Sequence, residues 1–412
     1  MRKSKLQFEE ILSNGCGIDV HKETVVVTVS GKGIDQQTRT FSTFTNSLIE
    51  MGKWLKKIGI ENGAMESTGI YWKPVINILN DYVPNIILVN ARYVKNVPGR
   101  KTDKKDSEWL CQLLICGLLK GSFIPEEIIR QIRDITRYRT KLVQQLSSEK
   151  NRVQKVLEDA NIKLSSVVSD TSGVVATKLI KGLISGRKDL KQLINECYHK
   201  KLTASKEELQ EALTGRLTAH HIYMLRQINQ HIIYLEEQIM EIDKELEKRT
   251  SPYKAEIKLL ETIPGVAQIG ATKIISEIGT DMQAFPSEHH LASWAGMCPG
   301  NNESGGKKKP SKIRHGNKYL KATLVELAWA ATRTKGTYFR SKYDKLASRK
   351  GKKKALIAIG HMILCACYHI ILKKEPFNEL GMDFLEEKLK EKRIEHYAKK
   401  LKELGYKIDK IA

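Results

Sequence analysis

None of the seven cysteines stands in a CxxC pair: Cys16, Cys111, Cys116, Cys197, Cys298, Cys365 and Cys367 are scattered and odd in number. That pattern excludes a zinc ribbon and a disulfide framework, and reads as buried thiols in a reducing cytoplasm. The stretch from Met1 to Asn14 lacks the apolar core of a secretory signal. Only one apolar run, Ala355–Leu372, approaches membrane-spanning length. It contains Gly360, His361 and His369 and is flanked by lysines, so a buried helix is expected and no membrane. Acids are also in short supply, 47 Asp+Glu against 70 Lys+Arg, a formal charge of +23. Such an excess favours a polyanionic partner, because each phosphate neutralised releases counterions. The excess is concentrated: Glu303 to Lys354 holds 17 Lys/Arg and three acids, Glu303, Glu326 and Asp344. An indifferent basic surface would spread it.

At 412 residues the chain has room for two or three domains. Cys16–Val20, the β-branched Thr24–Ser30 and the alternating Gln36–Thr45 predict an antiparallel meander. Asn46 is expected to cap a helix bearing Leu48, Ile49, Met51, Trp54 and Leu55. Strand Gly63–Glu66, a helix over Ile70–Leu79, the apolar strand Asn85–Asn90 and a helix from Asp103 to about Leu119 complete a βββαβαβα unit. Asn85–Asn90 has the composition of a buried parallel strand. From Pro125 the pattern turns helical. Leu225, Ile228, Ile232, Leu235, Ile239, Ile242 and Leu246 repeat at 3,4 spacing, which argues for a coiled coil or a long antiparallel hairpin. Leu164–Thr218 is helical in tendency. Beyond Ser251-Pro252, Leu259–Gly279 reads helix, tight turn, helix. Cys298–Asn317 reads as too polar and glycine-rich for regular structure, and a helix is predicted over Asn317–Arg333. The boundaries are therefore 1–124 for an α/β domain, 125–250 for a helical region, 251–372 for a basic helical domain and 373–412 for a charged helical tail.

Four acids stand where metal chemistry would use them. Asp19 lies on the first strand, Glu66 ends the fourth, and Asp103 and Asp106 open the helix after the fifth. The last two are i,i+3, on one helix face with Cβ atoms roughly 5–6 Å apart. Gathered carboxylates repel without a cation, and their hard oxygens suit Mg²⁺ or Mn²⁺. Two ions about 3.5–4 Å apart can activate the attacking oxygen and stabilise the leaving one at a phosphodiester. Taken singly, each acid has an ordinary explanation: a turn-former, a surface acid, helix-start residues favoured by the dipole. Three segments of one α/β unit placing acids at one edge is what argues otherwise. His21 is read as a polar strand-turn residue or a contact to metal-bound water.

The motifs GIDVHK, AMESTGIYW, VNARYVKNVPGRKTDKKDSEWL, and IPGV, LASWAGMCPGNNESGGK and GNKYLKATL together resemble the insertion-sequence family 110 transposases, which are related to Piv-type site-specific DNA invertases. The resemblance covers almost the whole chain apart from the middle. It implies a ribonuclease-H-like N-terminal domain of the Holliday-junction-resolvase branch and a C-terminal transposase domain; with the heptads above, the expected architecture is α/β plus all-α, with a helical coiled-coil middle and a mainly helical, basic C-terminal domain. It places a DEDD site on Asp19, Glu66, Asp103 and Asp106, and a serine nucleophile joined covalently to DNA at Ser304. It implies donor and target DNA and a structured non-coding guide RNA as partners.

From the residues themselves, serine is a poor nucleophile until a base or metal eases loss of its proton. Gly305 and Gly306 leave room for a phosphate backbone, and Lys307, Lys308 and Lys309 supply charge to hold it. A Ser-Gly turn is the plain alternative. The serine chemistry demands that this loop meet the acids, from the same subunit or another. Ile263–Ala267 looks like a helix-hairpin-helix turn with Ala267 where a second glycine is usual, so a purely structural turn is as good a reading. The nucleic-acid track is read as Lys307 to Lys309, Lys312, Arg314, Lys318, Lys321, Arg340, Arg349, Lys350 and Lys352, Lys353 and Lys354. Tyr338, Phe339 and Tyr343 are candidates for base stacking, and Trp329 for the core. The expected protein is a cytoplasmic, metal-dependent DNA recombinase, a homodimer or homotetramer if the heptads pair between chains. The rivals are a nuclease or junction resolvase using metal-activated water, and a non-catalytic nucleic-acid-binding scaffold.

Overall fold

The structure, a computed structural model, describes residues 11–66, 69–90, 94, 106–187, 189–200, 202–300, 303–308, 313–403 and 405. Chain contacts divide it into two units, with the boundary between Ile124 and Pro125.

In the first unit, β1 (Asn14–Val20), β2 (Thr24–Gly31) and β3 (Ile34–Ser42) form the meander, followed by α1 (Thr45–Lys57), β4 (Asn62–Glu66), α2 (Trp72–Leu79), β5 (Asn85–Val89) and α3 (Asp106–Ile115). The sheet order is β3-β2-β1-β4-β5, with β1 to β3 antiparallel and β4 and β5 parallel to β1. The side chains alternate as the pleat requires. Cys16, Ile18 and Val20 with Val25, Val27 and Val29 face one side, packed with Leu48, Met51 and Leu55 of α1 and Val75, Ile76 and Leu79 of α2. On the other side Val89 packs with Trp109, Leu110 and Leu113 of α3. Two expectations are corrected. α1 begins at Thr45 after an extended Phe44, so Asn46 lies inside the helix and does not cap it. β5 is parallel but lies at the edge of the sheet: Asn85 is exposed and Ile86 and Ile87 are half-buried, and among the described residues only an isolated bridge from Ser122 to Leu88 pairs its outer side.

The second unit opens with α4 (Glu127–Asp159). Four short helices follow, α5 (Leu164–Val167), α6 (Val174–Ile184), α7 (Leu190–Cys197) and α8 (Lys206–Leu213), and then the long α9 (Ala219–Thr250). α4 and α9 run antiparallel: Arg139 pairs with Asp243, Lys150 with Glu236, and His221 with Asp159. The heptad stripe of α9 is spent on α4 of the same chain, with Leu225, Ile228, Leu235 and Leu246 buried. The hairpin is thus the form taken, and the stripe gives no ground for pairing between chains. Leu164–Thr218 closes the far end with its own core, in which Leu179, Leu193, Leu209 and Leu213 join Val153 and Leu157 of α4 and Leu225 of α9.

Then come α10 (Lys254–Glu261), α11 (Gln268–Ile278), α12 (Glu288–Trp294), a hairpin of β6 (Glu303–Ser304) and β7 (Lys307–Lys308), α13 (Lys318–Ala331), α14 (Tyr338–Lys350), α15 (Lys352–Lys373) and α16 (Phe384–Glu403). α15 is long and apolar enough to cross a membrane, but it is packed into this unit. Ala355, Ile359, Ile363, Leu364 and Cys367 are buried, and Tyr368 Oη donates to Phe285 O at 3.1 Å.

Candidate functional site

Gly15, Gly17 and Asp19 alternate along β1 onto one face, and α3 lies across that face. A Cβ on Gly15 would stand 3.0 Å from the Leu114 side chain. One on Gly17 would stand 2.1 Å from Ser107 O and 2.4 Å from Cys111 N, both backbone atoms. The glycines let the helix sit directly on the strand. Ser107, fully buried, hydrogen-bonds Thr28 of β2 at 2.9 Å, and Thr28 bonds Thr38 of β3 at 2.8 Å. Asp106, the residue before Ser107, opens the helix and is exposed.

β1 and β4 pair in parallel with Ile18 beside Met65. One step further along both strands are Asp19 and Glu66, on the face α3 covers. The Asp19 carboxyl is held above its ordinary range by burial; His21 opposes that shift, and Asp106 and Glu66 add to it. His21 Nε2 lies 3.1 Å from Asp19 Oδ2. Three of the four acids read from the sequence thus feel one another. Asp103 lies outside the described residues. Among the described residues no three Asp, Glu, His or Cys side chains stand close enough to hold a metal ion. The donor chemistry still fits a hard cation: carboxylate oxygens from two neighbouring strands and a helix start, one of them disfavoured as an anion by burial and by the charges of the other two.

In the second unit, Cys298–Asn317 is not wholly irregular, as its glycine content suggested. Ser304 pairs with Lys307, and Gly305 and Gly306 take φ of 58° and 72° to make the two-residue turn. Among the described residues no atom lies within 4 Å of where either glycine would carry a Cβ. Lys307 is exposed, Lys308 lies on β7, and Lys309 and Lys312 fall outside the described residues. Arg314 and Lys318 are exposed, while Lys321 Nζ is turned onto Arg314 O at 3.1 Å. Arg349, Lys350, Lys352, Lys353 and Lys354 are exposed about the α14–α15 elbow at Gly351, whose φ is 84°. Arg340 is exposed but engaged, with Nε on Asp344 at 2.9 Å and a terminal nitrogen on Thr332 O at 2.7 Å. Phe339 and Tyr343 are corrected to core, 2% and 9% exposed, with Phe339 stacked on Phe377. Trp329 is corrected to the surface, where the Arg333 guanidinium covers its ring at 4.6 Å. The turn at Gly265 has φ of 85° and abuts the backbone of Ala331, where a Cβ would fall 2.3 Å from its N, so a packing role accounts for that glycine.

A buried ion network went unread in the sequence. The carboxylate of Glu277, 4% exposed, takes both nitrogens of an Arg137 fork at 2.7 and 2.8 Å. Arg133 donates to the carbonyls of Ser276 and Glu277. Asn317, which caps α13, donates to Glu277 Oε2 at 2.5 Å. The one available signal was an acid inside the apolar run of α11.

Residues 257–344 match the family model described as Transposase IS116/IS110/IS902 family, and residues 16–162 match the transposase model of the IS110 DEDD type. The pilin gene-inverting proteins of Moraxella lacunata and Moraxella bovis are each 25% identical over 382 residues, 88% of this chain and 97% of theirs. A probable family 20 transposase of Pseudomonas aeruginosa is 24% identical over 276 residues, 66% of this chain and 71% of its own.

Proposed function

From the premise that the chain belongs to the IS110/IS116/IS902 transposase family, we propose that it cuts and rejoins DNA with a carboxylate metal site and a serine nucleophile. The observation that carries this reading is the meeting of Asp19, Glu66 and Asp106 about one sheet edge, where the charge of each bears on Asp19. The sheet order, with an antiparallel meander followed by two strands parallel to the first, supports a ribonuclease-H-like assignment for 1–124. The other proposed divisions are 125–250, 251–372 and 373–412. Asp19, Glu66, Asp103 and Asp106 hold the Mg²⁺ or Mn²⁺. When bound, such ions polarise a phosphodiester and offset charge on the departing oxygen.

Ser304 precedes a tight turn with open space over its two glycines, which suits approach of a sugar–phosphate backbone. Its Oγ loses a proton and forms the bond to phosphorus. The bond from phosphorus to the departing strand oxygen breaks, and that oxygen takes up a proton. Rejoining is the reverse with a different strand oxygen, which returns the serine hydroxyl. Lys307 and the cations of the α14–α15 elbow hold DNA without selecting sequence. As the resemblance to the family implies, selection of sites falls to a structured non-coding RNA. The pilin gene-inverting relatives favour inversion of a DNA segment as the rearrangement.

The test is a denaturing gel of the enzyme with donor DNA. Wild type leaves a protein–DNA adduct. Ser304→Ala leaves none while binding persists. A Ser304→Ala enzyme that still recombines would sink the serine step and leave the carboxylates to activate water. Full function in Asp19→Asn would reduce the protein to a binding scaffold.

A further inference from the structure

Along one flank of α4 the surface forms a groove that the chemistry above does not use. One part, about 320 Å³, lies between Arg137 and Lys141 of α4, Lys273 of α11, and Lys318 and Tyr319 of α13. The next, about 340 Å³, runs past Gln144, Gln145 and Ser148 to Arg152 and His231. The two share Lys141 and Gln144 and are continuous. From Arg137 to Arg152 the groove follows α4 for about 22 Å at the helical rise of roughly 1.5 Å per residue.

Its lining selects the occupant. No large aliphatic side chain lines it: Ala322 is the sole aliphatic residue among those lining it, and the Tyr319 ring is covered by the Arg137 guanidinium at 4.2 Å. The acids are already matched, Glu277 by Arg133 and Arg137, Glu149 by Arg152 and His231, and Glu326 by Lys273. Lys141 and Lys318 are exposed, and among the described residues no acid is paired to either. Between the cations stand neutral hydrogen-bonding groups, Thr140, Gln144, Gln145 and Ser148. A narrow, elongated, polar groove of this kind matches alternating phosphates and sugars. At roughly 3.4 Å per stacked nucleotide it spans about six.

We propose that this groove grips the sugar–phosphate backbone of one nucleic-acid strand, a second hold on the helical arm in addition to the basic tract ending at Lys354. It rests on the recombinase reading only for the kind of partner. The test reads binding alone, so its failure leaves the cleavage reading standing, and loss of the serine adduct leaves the groove standing.

Full-length protein freed of nucleic acid is titrated with fluorescent single strands of RNA and of DNA of one sequence, over a range of salt. Lys141→Glu weakens binding and flattens the log–log salt slope by about 0.7, one phosphate contact on a single strand. Lys141→Arg restores both. Lys191→Glu, an exposed lysine of α7 with the same charge change, leaves the slope alone. Loss on RNA only assigns the neutral groups to ribose hydroxyls, and equal loss on both strands assigns the grip to phosphate; either supports the groove. An unchanged slope on both strands, with unfolding temperature intact, overturns it, as does an equal loss in Lys191→Glu.

Discussion

Replacing Gly17 by alanine puts a carbon 2.1 Å from Ser107 O and 2.4 Å from Cys111 N. Neither neighbour is a side chain that can swing away. Real contacts of this type begin near 3.0 Å, so α3 must retreat by about 1 Å. Overpacking of this kind costs about 3 kcal/mol or more, which lowers the unfolding temperature of a unit this size by roughly 10 °C. The retreat also drags Asp106, the first helical residue, away from Asp19 and Glu66, and breaks the buried Ser107–Thr28 contact. Misplacement by about 1 Å costs roughly a hundredfold in rate. Calorimetry and a strand-cleavage assay run below the lowered transition separate the two losses. If Gly17→Ala unfolds at the wild-type temperature and cleaves at the wild-type rate, α3 does not sit on β1 as described, and the gathering of the three acids loses its basis.

Other outcomes follow from groups already placed. A carboxyl raised by burial favours its neutral form, so its contribution to stability is present at low pH and is lost as pH rises through the folded-state pKa. Asp19→Asn therefore raises the unfolding temperature of the metal-free protein at neutral pH while abolishing cleavage. Added Mg²⁺ raises that temperature in wild type and less so in the variant; no response of wild type to Mg²⁺ would count against a metal site. Glu277→Gln leaves Arg133 and Arg137 short of their partner and costs about 3–5 kcal/mol, read by denaturant unfolding, and a loss under 1 kcal/mol would mark the network as incidental. Burial raises the Cys111 thiol to about 12 and holds Cys16 and Cys367 higher still. Iodoacetamide at mildly alkaline pH should leave all three unlabelled in the native state, as mass spectrometry can check.

The strands of the first unit were legible because β-branched runs alternate with glycine and polar turns. That Asp19 and Glu66 lie on neighbouring strands was legible because each strand runs out into a polar turn there. The seating of α3 was not: a glycine pair in a strand reads as a bulge or a close approach without naming what approaches. Phe339 and Tyr343 were misread because lysines and arginines surround them. Their i,i+4 spacing was the better guide, since it places them on one helix face, and that face is core. Trp329 sat among apolar residues in sequence, but Leu320, Leu324, Leu327, Ala328 and Ala331 fill the buried side of α13 and leave it outside. The stripe on α9 was visible, but a stripe carries no information on whether its partner is the same chain or another. In the serine loop, the glycines that argued against structure turned out to make it.

The antiparallel arm of α4 and α9 acts as a ruler with paired graduations. Arg139 to Asp243, Lys150 to Glu236 and Asp159 to His221 are successive rungs, and the far end is closed by a core of its own. Lengthening one rail alone would throw every rung beyond the insertion out of step. Whole turns added to or removed from both rails together keep them aligned and carry the small-helix cap outward or inward intact. Changes in the reach of this protein should therefore arise as matched insertions or deletions whose separation in sequence lies between 62 residues, that of Asp159 and His221, and 104, that of Arg139 and Asp243.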